Sequence, residues 1–266
     1  KQVSAMTWFY LTLAGLLLLF AFILYFIVKS AKEQMDEKLK AQKRQLTSNI
    51  AHELRTPLAS VRGYLETLVE MPEMDEAHKR QFIERAYSQT IRLSNLITDI
   101  SLITKIEQDP AALPKEYIGV RKLVDDIVTQ LSGRISEKGV KVENEIGEEV
   151  SVRANQPLLY ATFRNLIENS LRYAGQDFTI NISCDAESDD KLHFRYYDTG
   201  KGIDAKELET IFERFYRVKG SSNSEGSGLG LSIVKNAVEY HGGHITASEH
   251  KGGGLEFNFY LTNKTS

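Results

Sequence analysis

The chain has 266 residues, with 33 Lys or Arg against 36 Asp or Glu, a net charge of −3. That balance excludes the basic excess of a nucleic-acid binder and the acidic excess of a disordered chain. The single cysteine, Cys184, excludes an intramolecular disulfide and a cysteine-built zinc cluster.

In chain order, the first feature is a run without Asp, Glu, Lys or Arg from Gln2 to Val28, overwhelmingly apolar from Trp8 onward. As a helix, residues 8–28 would rise ~31 Å at roughly 1.5 Å per residue, enough to cross a bilayer core. Trp8, Phe9 and Tyr10 at one end and Tyr25 and Phe26 near the other fit interfacial belts. A buried core helix or a signal-peptide segment is the alternative; the run is long for the latter and no small-residue cleavage site follows. Lys29, Lys32, Lys38, Lys40, Lys43 and Arg44 come directly after it, with only Lys1 before. The excess of positive charge puts everything after Lys29 in the cytoplasm. Because the first residue is Lys rather than Met, a segment upstream is expected.

Residues 30–46 contain no Gly or Pro and are rich in Lys, Glu, Gln and Ala, so the spacing predicts that the helix continues as a stiff rod. Ile50, Leu54, Pro57 or Leu58, Val61, Leu65 and Leu68 then mark one helical face, and residues 71–75 interrupt it. A second helix is expected from about Glu76 to Glu107, with Ile83, Ala86, Thr90, Leu93, Ile97, Ile100 and Thr104 on one stripe, closed by Asp109-Pro110. A lone hairpin cannot bury both stripes. Two copies can, as a homodimeric four-helix bundle, which is preferred to a hairpin packed on the downstream region.

From Tyr117 the pattern changes to short helices and strands. Helices are expected at 120–131, 158–173 and 229–241, and strands at 140–146, 178–183, 191–197, 244–249 and 255–261. The mixture predicts an α/β sandwich with helices layered on one face of a sheet. The domains expected are therefore 1–29, a transmembrane helix; 30–109, a helical hairpin; and 110–266, the α/β domain. One low-complexity patch covers 220–228.

His52 lies two residues from both Ile50 and Leu54, so at about 100° per residue it faces water while they face the bundle. A solvent-facing histidine is usually a plain surface residue. Here Glu53 is adjacent, Thr56 is one turn on, and Pro57 removes the amide that would bond the Glu53 carbonyl, which predicts a local break or bend. A neutral imidazole offers a ring nitrogen lone pair as nucleophile, and a neighbouring carboxylate can take the proton from the other nitrogen.

Three further segments suggest an anion site. Asn165 and Asn169, four apart on a helix beside Arg172 and Tyr173, share one face; they are either ordinary surface amides or oxygen ligands for a hard cation such as Mg²⁺. Asp198-Thr-Gly200-Lys-Gly202 follows a strand, where glycines permit a tight turn and the carboxylate can accept a hydrogen bond; a plain strand-ending turn is the alternative. Gly226-Ser-Gly228-Leu229-Gly230-Leu231 opens a helix, where amides and the helix dipole favour anions, although no Lys-Ser/Thr of a P-loop follows.

The stretch Ser48-Asn-Ile-Ala-His52-Glu53-Leu-Arg55-Thr56-Pro57-Leu58 closely resembles the H-box of two-component sensor histidine kinases. The three later segments resemble the N, G1 and G2 boxes of that family's Bergerat-type ATP-binding fold, also seen in gyrase and Hsp90 families, and Ile211–Arg217 resembles its F-box. The likeness runs from about residue 30 to 261. It implies that His52 accepts phosphate from ATP, assisted by Glu53, and that Thr56 helps place a water when a partner is dephosphorylated. By the same likeness, Asn165 and Asn169 would bind Mg²⁺ and phosphates, with Arg172 and Tyr173 beside the phosphates. Asp198 would pair with the adenine amino group, Gly200 and Gly202 would shape the base pocket, and Gly226, Gly228, Leu229 and Gly230 would border the triphosphate. Arg217 would reach the γ-phosphate from a flexible segment between about Ile203 and Ser227. Small departures are Ser170 for the commoner Ala, Ala174 for Ser or Thr, and Leu255 for Thr. The resemblance thus implies autophosphorylation and transfer to an aspartate of a response-regulator receiver domain. The alternatives are a scaffold acting mainly as regulator phosphatase and a membrane-tethered nucleotide-binding protein without transfer. A gyrase-like ATPase is disfavoured, because Asn165 stands where those families carry a catalytic Glu.

Overall fold

The computed structural model describes residues 2–109, 112–188, 191–218 and 226–262. It divides into two compact units, residues up to 56 and residues 57–266, described here in turn.

The first unit belongs to helix α1 (Gln2–Glu70). Its large apolar side chains between Trp8 and Val28 stand exposed, Leu18 at 72 %, and among the described residues this is the one stretch long and apolar enough to cross a membrane. The expected rod is present: α1 runs unbroken through 30–46, a segment of helix-favouring residues. Pro57 lies inside α1, which continues past it to Glu70, so the helix is not broken there. One missing amide costs a single backbone bond, which a long helix tolerates.

In the second unit, the last turns of α1 and helix α2 (Glu76–Gln108) form a hairpin. Asp75 caps α2: its carboxylate accepts from the His78 amide at 3.0 Å and approaches His78 Nδ1 at 2.5 Å. Those contacts hold the Asp75 carboxyl below its usual range. Tyr64 and Phe82 meet edge to face across the hairpin, ring centroids 5.7 Å apart. The faces of α2 differ from the single stripe expected. Ala86, Leu96 and Ile103 are buried, whereas Ile83 and Ile97 are 56 % and 54 % exposed. On α1, Leu58, Leu65 and Val69 are exposed as well. The hairpin therefore has two working faces: one meets the later helix Gly230–Tyr240 of the α/β domain, and one remains open.

The α/β domain follows as β1 (Glu116–Gly119), α3 (Val120–Gln130), α4 (Ser132–Glu137), β2 (Lys141–Asn144), β3 (Ser151–Ala154), α5 (Gln156–Tyr173), β4 (Thr179–Ser188), β5 (Lys191–Asp198), α6 (Gly230–Tyr240), β6 (Ile245–Glu249) and β7 (Leu255–Thr262). The main sheet has the order β2-β4-β5-β7-β6, with β2 and β4 parallel and the other pairs antiparallel; β1 and β3 form a separate ribbon. Strict alternation sends Leu192, Phe194, Tyr196 and Asp198 of β5, and Leu255, Phe257, Phe259 and Leu261 of β7, to one face. There they meet the apolar faces of α3, α5 and α6 in one core, with Phe163 packed against Phe194 and Phe259.

Asn155 and His241 pin the start of α5. The Asn155 side chain accepts from the Leu158 amide at 3.2 Å and donates to the Pro114 carbonyl at 2.9 Å. Its own amide donates to His241 Nε2 at 2.9 Å, and His241 Nδ1 donates to the Ala237 carbonyl at 2.7 Å. Burial holds the His241 imidazole neutral, its pKa lowered to about 4. The two strands β1 and β3 and the short α4 were not expected from sequence; each spans six residues or fewer.

Candidate functional site

The first candidate group lies on α1. His52 is exposed and Glu53 half-buried, and Thr56 Oγ1 donates to the His52 carbonyl at 3.3 Å. With proline next, the Glu53 carbonyl lacks its usual helical amide donor. The imidazole is thus on an accessible helical surface beside a carboxylate, as its spacing from Ile50 and Leu54 required.

The second lies in the α/β domain, where a cavity of about 190 Å³ opens between α5, β5, the segment after β5 and α6. Of the expected residues, Asn169, Tyr173, Asp198, Gly202 and Arg217 line it. Its apolar walls are Ile203, Ile211, Leu231 and Leu255; Lys201 and Arg217 supply positive charge. Lys201, Ile203, Ile211, Tyr216 and Leu231 went unassigned in the sequence. Their signal was weak, since an apolar residue lining a pocket looks like any core residue.

Asp198 sits at the inward end of β5, 2 % exposed. Its Oδ1 accepts from the amides of Gly200 at 3.1 Å and Leu255 at 3.4 Å, and its Oδ2 accepts from Ser170 Oγ at 2.6 Å. Burial pushes its pKa up and these hydrogen bonds pull against that shift; the net direction is upward. Such a carboxylate is a fixed acceptor in a low-dielectric wall. Gly200 is required by close approach, because a Cβ there would strike the Ala174 carbonyl.

The glycine-rich segment opens α6. Gly228, at φ +71°, accepts at its carbonyl from the Phe215 amide at 2.9 Å, and a side chain there would collide with the Phe215 and Tyr216 backbone. Phe215 itself has φ +62°, unusual for an aromatic residue, so the segment carrying Arg217 is held against the glycines in a strained turn. A Cβ on Gly226 would come within 2.6 Å of the Tyr173 hydroxyl and 3.3 Å of Arg172 Nη1, and one on Gly230 within 2.8 Å of Asn165 Oδ1. Arg172 and Asn165 therefore border the loop without lining the cavity. Leu229 is fully buried; only its backbone belongs to the loop, its amide donating to Ser227 Oγ at 3.3 Å. Residues 219–225, within the expected flexible segment and the low-complexity patch, lie outside the described residues.

Among the described residues no group of three or more His, Cys, Asp or Glu could cage a metal. The Asn165 amide nitrogen is committed to the Ala161 carbonyl at 2.8 Å, which leaves its oxygen as an acceptor at the start of α6. Amide oxygens from Asn165 and Asn169 fit a hard cation that keeps water and phosphate oxygens as its other ligands.

Both candidate regions fall within segments matched by known family models. The family model of the His Kinase A (phospho-acceptor) domain matches residues 42–109, and that of the histidine kinase-, DNA gyrase B- and HSP90-like ATPase matches residues 154–265. The chain is 31 % identical to the signal transduction histidine-protein kinase BaeS of Escherichia coli strain K12, over 85 % of this chain and 48 % of that protein. It is 29 % identical to the sensor histidine kinase WalK of Bacillus subtilis strain 168, over 86 % and 38 % respectively. It thus spans about half or less of these curated relatives. The fold resembles the Acinetobacter baumannii histidine kinase AdeS, with TM-score 0.66, 21 % identity, and 80 % of this chain and 98 % of that one covered. It also resembles the histidine kinase ThkA, solved in complex with the response regulator protein TrrA, with TM-score 0.63, 21 % identity, and 83 % and 61 % covered. With both modules present in series and relatives of the same kind along most of its length, the chain belongs to the two-component sensor histidine kinases.

Proposed function

We propose that the chain is a homodimeric, membrane-anchored histidine autokinase that takes ATP in the α/β cavity and phosphorylates His52. The observation that carries this reading is the buried Asp198 carboxylate, fixed by three donors in the wall of a pocket with apolar sides and cationic Lys201 and Arg217. An adenine offers an amino donor and a flat apolar face to such a wall, while its phosphates suit the cations and the glycine-lined start of α6.

In the reaction, a ring nitrogen of His52 forms a bond to the γ-phosphorus as the β–γ bridging oxygen leaves with ADP. Glu53 takes or holds the proton of the other ring nitrogen. Asn165 and Asn169 would hold Mg²⁺, which neutralises phosphate charge when bound. Tyr173, Arg172 and Arg217 bind phosphate oxygens; Gly200 and Gly202 let the backbone approach the base; Gly226, Gly228, Leu229 and Gly230 border the triphosphate through their backbone. The N–P bond then breaks as an aspartate oxygen of a receiver domain attacks, a partner class supported by the ThkA–TrrA complex. Thr56 positions a water when the receiver domain is dephosphorylated, a hydrolysis that releases inorganic phosphate.

The exposed stripe of Leu58, Leu65, Ile83 and Ile97 supports a four-helix dimer, since a second copy supplies an identical apolar face. Residues 8–28 anchor the chain in the inner membrane, with everything after Lys29 in the cytoplasm. The domains are then 1–29, 30–109 and 110–266. Incubation with γ-labelled ATP and Mg²⁺ tests the reading: the label should be acid-labile and alkali-stable and absent from His52→Gln. Label that persists in that variant refutes the acceptor.

A further inference from the structure

A hydroxyl relay lies behind Asp198, and the catalytic reading does not use it. Ser170 Oγ donates to Asp198 Oδ2 at 2.6 Å, while Tyr196 Oη stands 2.9 Å from Ser170 Oγ and 3.1 Å from the Leu166 carbonyl oxygen. All three side chains are 2 % exposed or less. Ser170 follows Asn169 on α5, and Tyr196 precedes Asp198 by one inward position on β5, so helix and strand meet through this contact.

A carboxylate has about four lone-pair sites. Three of those on Asp198 are occupied, two on Oδ1 by the Gly200 and Leu255 amides and one on Oδ2 by Ser170. One remains, on a side chain that lines the cavity. With Ser170 spending its proton on Oδ2, its oxygen can only accept from Tyr196, whose one proton is shared between Ser170 Oγ and the Leu166 carbonyl oxygen.

We propose that Ser170, backed by Tyr196, is a positioning residue that sets purine specificity, holding Asp198 Oδ2 as a pure acceptor for an exocyclic 6-amino group. This rests on the nucleotide reading above and refines it to the substrate's base. A 6-oxo purine would set an oxygen against that lone pair, two acceptors with no proton between them in a buried site. Without the Ser170 hydroxyl the carboxylate is free to turn or take a water, and its preference for an amino partner weakens. A plain packing role for Ser170 would instead weaken all nucleotides alike.

The test is competitive displacement of fluorescent ADP from the 266-residue chain with Mg²⁺, using ATP and inosine triphosphate, which carries oxygen at position 6. The parent should bind ATP at least ~100-fold tighter than the inosine nucleotide, a gap of about 2.7 kcal/mol. Ser170→Ala should weaken ATP about tenfold and the inosine nucleotide less than about twofold. Tyr196→Phe, which keeps the ring in the core, should shift the ratio the same way by about threefold, and Ser170→Thr should restore it. An unchanged ratio in Ser170→Ala, or parallel losses for both nucleotides, overturns the proposal; if Ser170→Ala does not fold, an unchanged ratio in Tyr196→Phe does so. If the parent binds neither nucleotide, the nucleotide reading itself fails, an outcome distinct from a parent that binds ATP while Ser170→Ala is indistinguishable from it.

Discussion

The hairpin and the α/β domain use apolar residues in opposite ways. The α/β domain encloses its own: Phe163, Phe194, Phe257 and Phe259 are 0 or 1 % exposed, and a mixed sheet and three helices meet around them. The hairpin leaves Leu58, Leu65, Ile83 and Ile97 about half exposed and buries only Ala86, Leu96 and Ile103 on α2. A surface that stays apolar in a single copy is built to be covered, whereas a closed core is built to hold a pocket still. Stability of the first should depend on association, and that of the second should not.

The largest effect should come from opening the closed core. Phe163→Ala should cost about 3–5 kcal/mol in denaturant unfolding of the α/β domain, with the hairpin's association unaffected. Next is acid. His241 is held neutral by burial, with a folded pKa of about 4 against 6.5 unfolded, and the nearby Lys115 charge acts in the same direction. Its contribution is complete above about pH 6.5 and is lost as pH falls toward 4, roughly 3 kcal/mol in all. His241→Gln should flatten the acid limb of a stability–pH profile over that window.

On the open side, Leu65→Asp should weaken self-association at least ~100-fold in sedimentation, while unfolding of the α/β domain stays unchanged. Equal loss in both would erase the contrast between the two regions. The smallest effect concerns the seam where α2 meets the α/β domain, which also carries an ion pair between Glu107 and Arg214. Asp99 on α2 has its pKa raised to about 6, chiefly by burial, with Arg164 opposing and Glu168 adding to the shift. A raised folded pKa gives stability that is full below about pH 4 and is lost as pH rises through 6. Asp99→Asn should therefore match the parent at pH 4 and exceed it by ~2 kcal/mol above pH 7.

The parts of this protein readable from sequence are those where one residue's chemistry or a long period decides. The apolar run at 8–28, the alternation in β5 and β7, and His52 opposite Ile50 and Leu54 are of that kind. Asp198, Asn169, Tyr173 and Arg217 were also legible, through short motifs, and they line one cavity. Four-residue strands such as Glu116–Gly119 and Ser151–Ala154 carry too few positions to show a period; their pairing with each other, across more than thirty residues of chain, defines them. Helix α2 misled a one-stripe reading because it packs on two sides, so Leu96 and Ile103 are buried while Ile97 is not. The Ser170–Tyr196 contact was invisible for the same reason: it exists only once α5 is laid on β5. Ser170 looked like a neutral departure from the commoner Ala until its hydroxyl was seen on Asp198.

The central claim is that the α/β cavity delivers the γ-phosphoryl group of ATP to one imidazole. Mapping phosphopeptides at alkaline pH after incubation with Mg-ATP, in the parent chain and in Asp198→Asn, tests it most directly. Phosphate should appear on the peptide containing His52 in the parent and be absent from the variant. Phosphate on another residue, or undiminished phosphate on His52 in Asp198→Asn, would contradict the account.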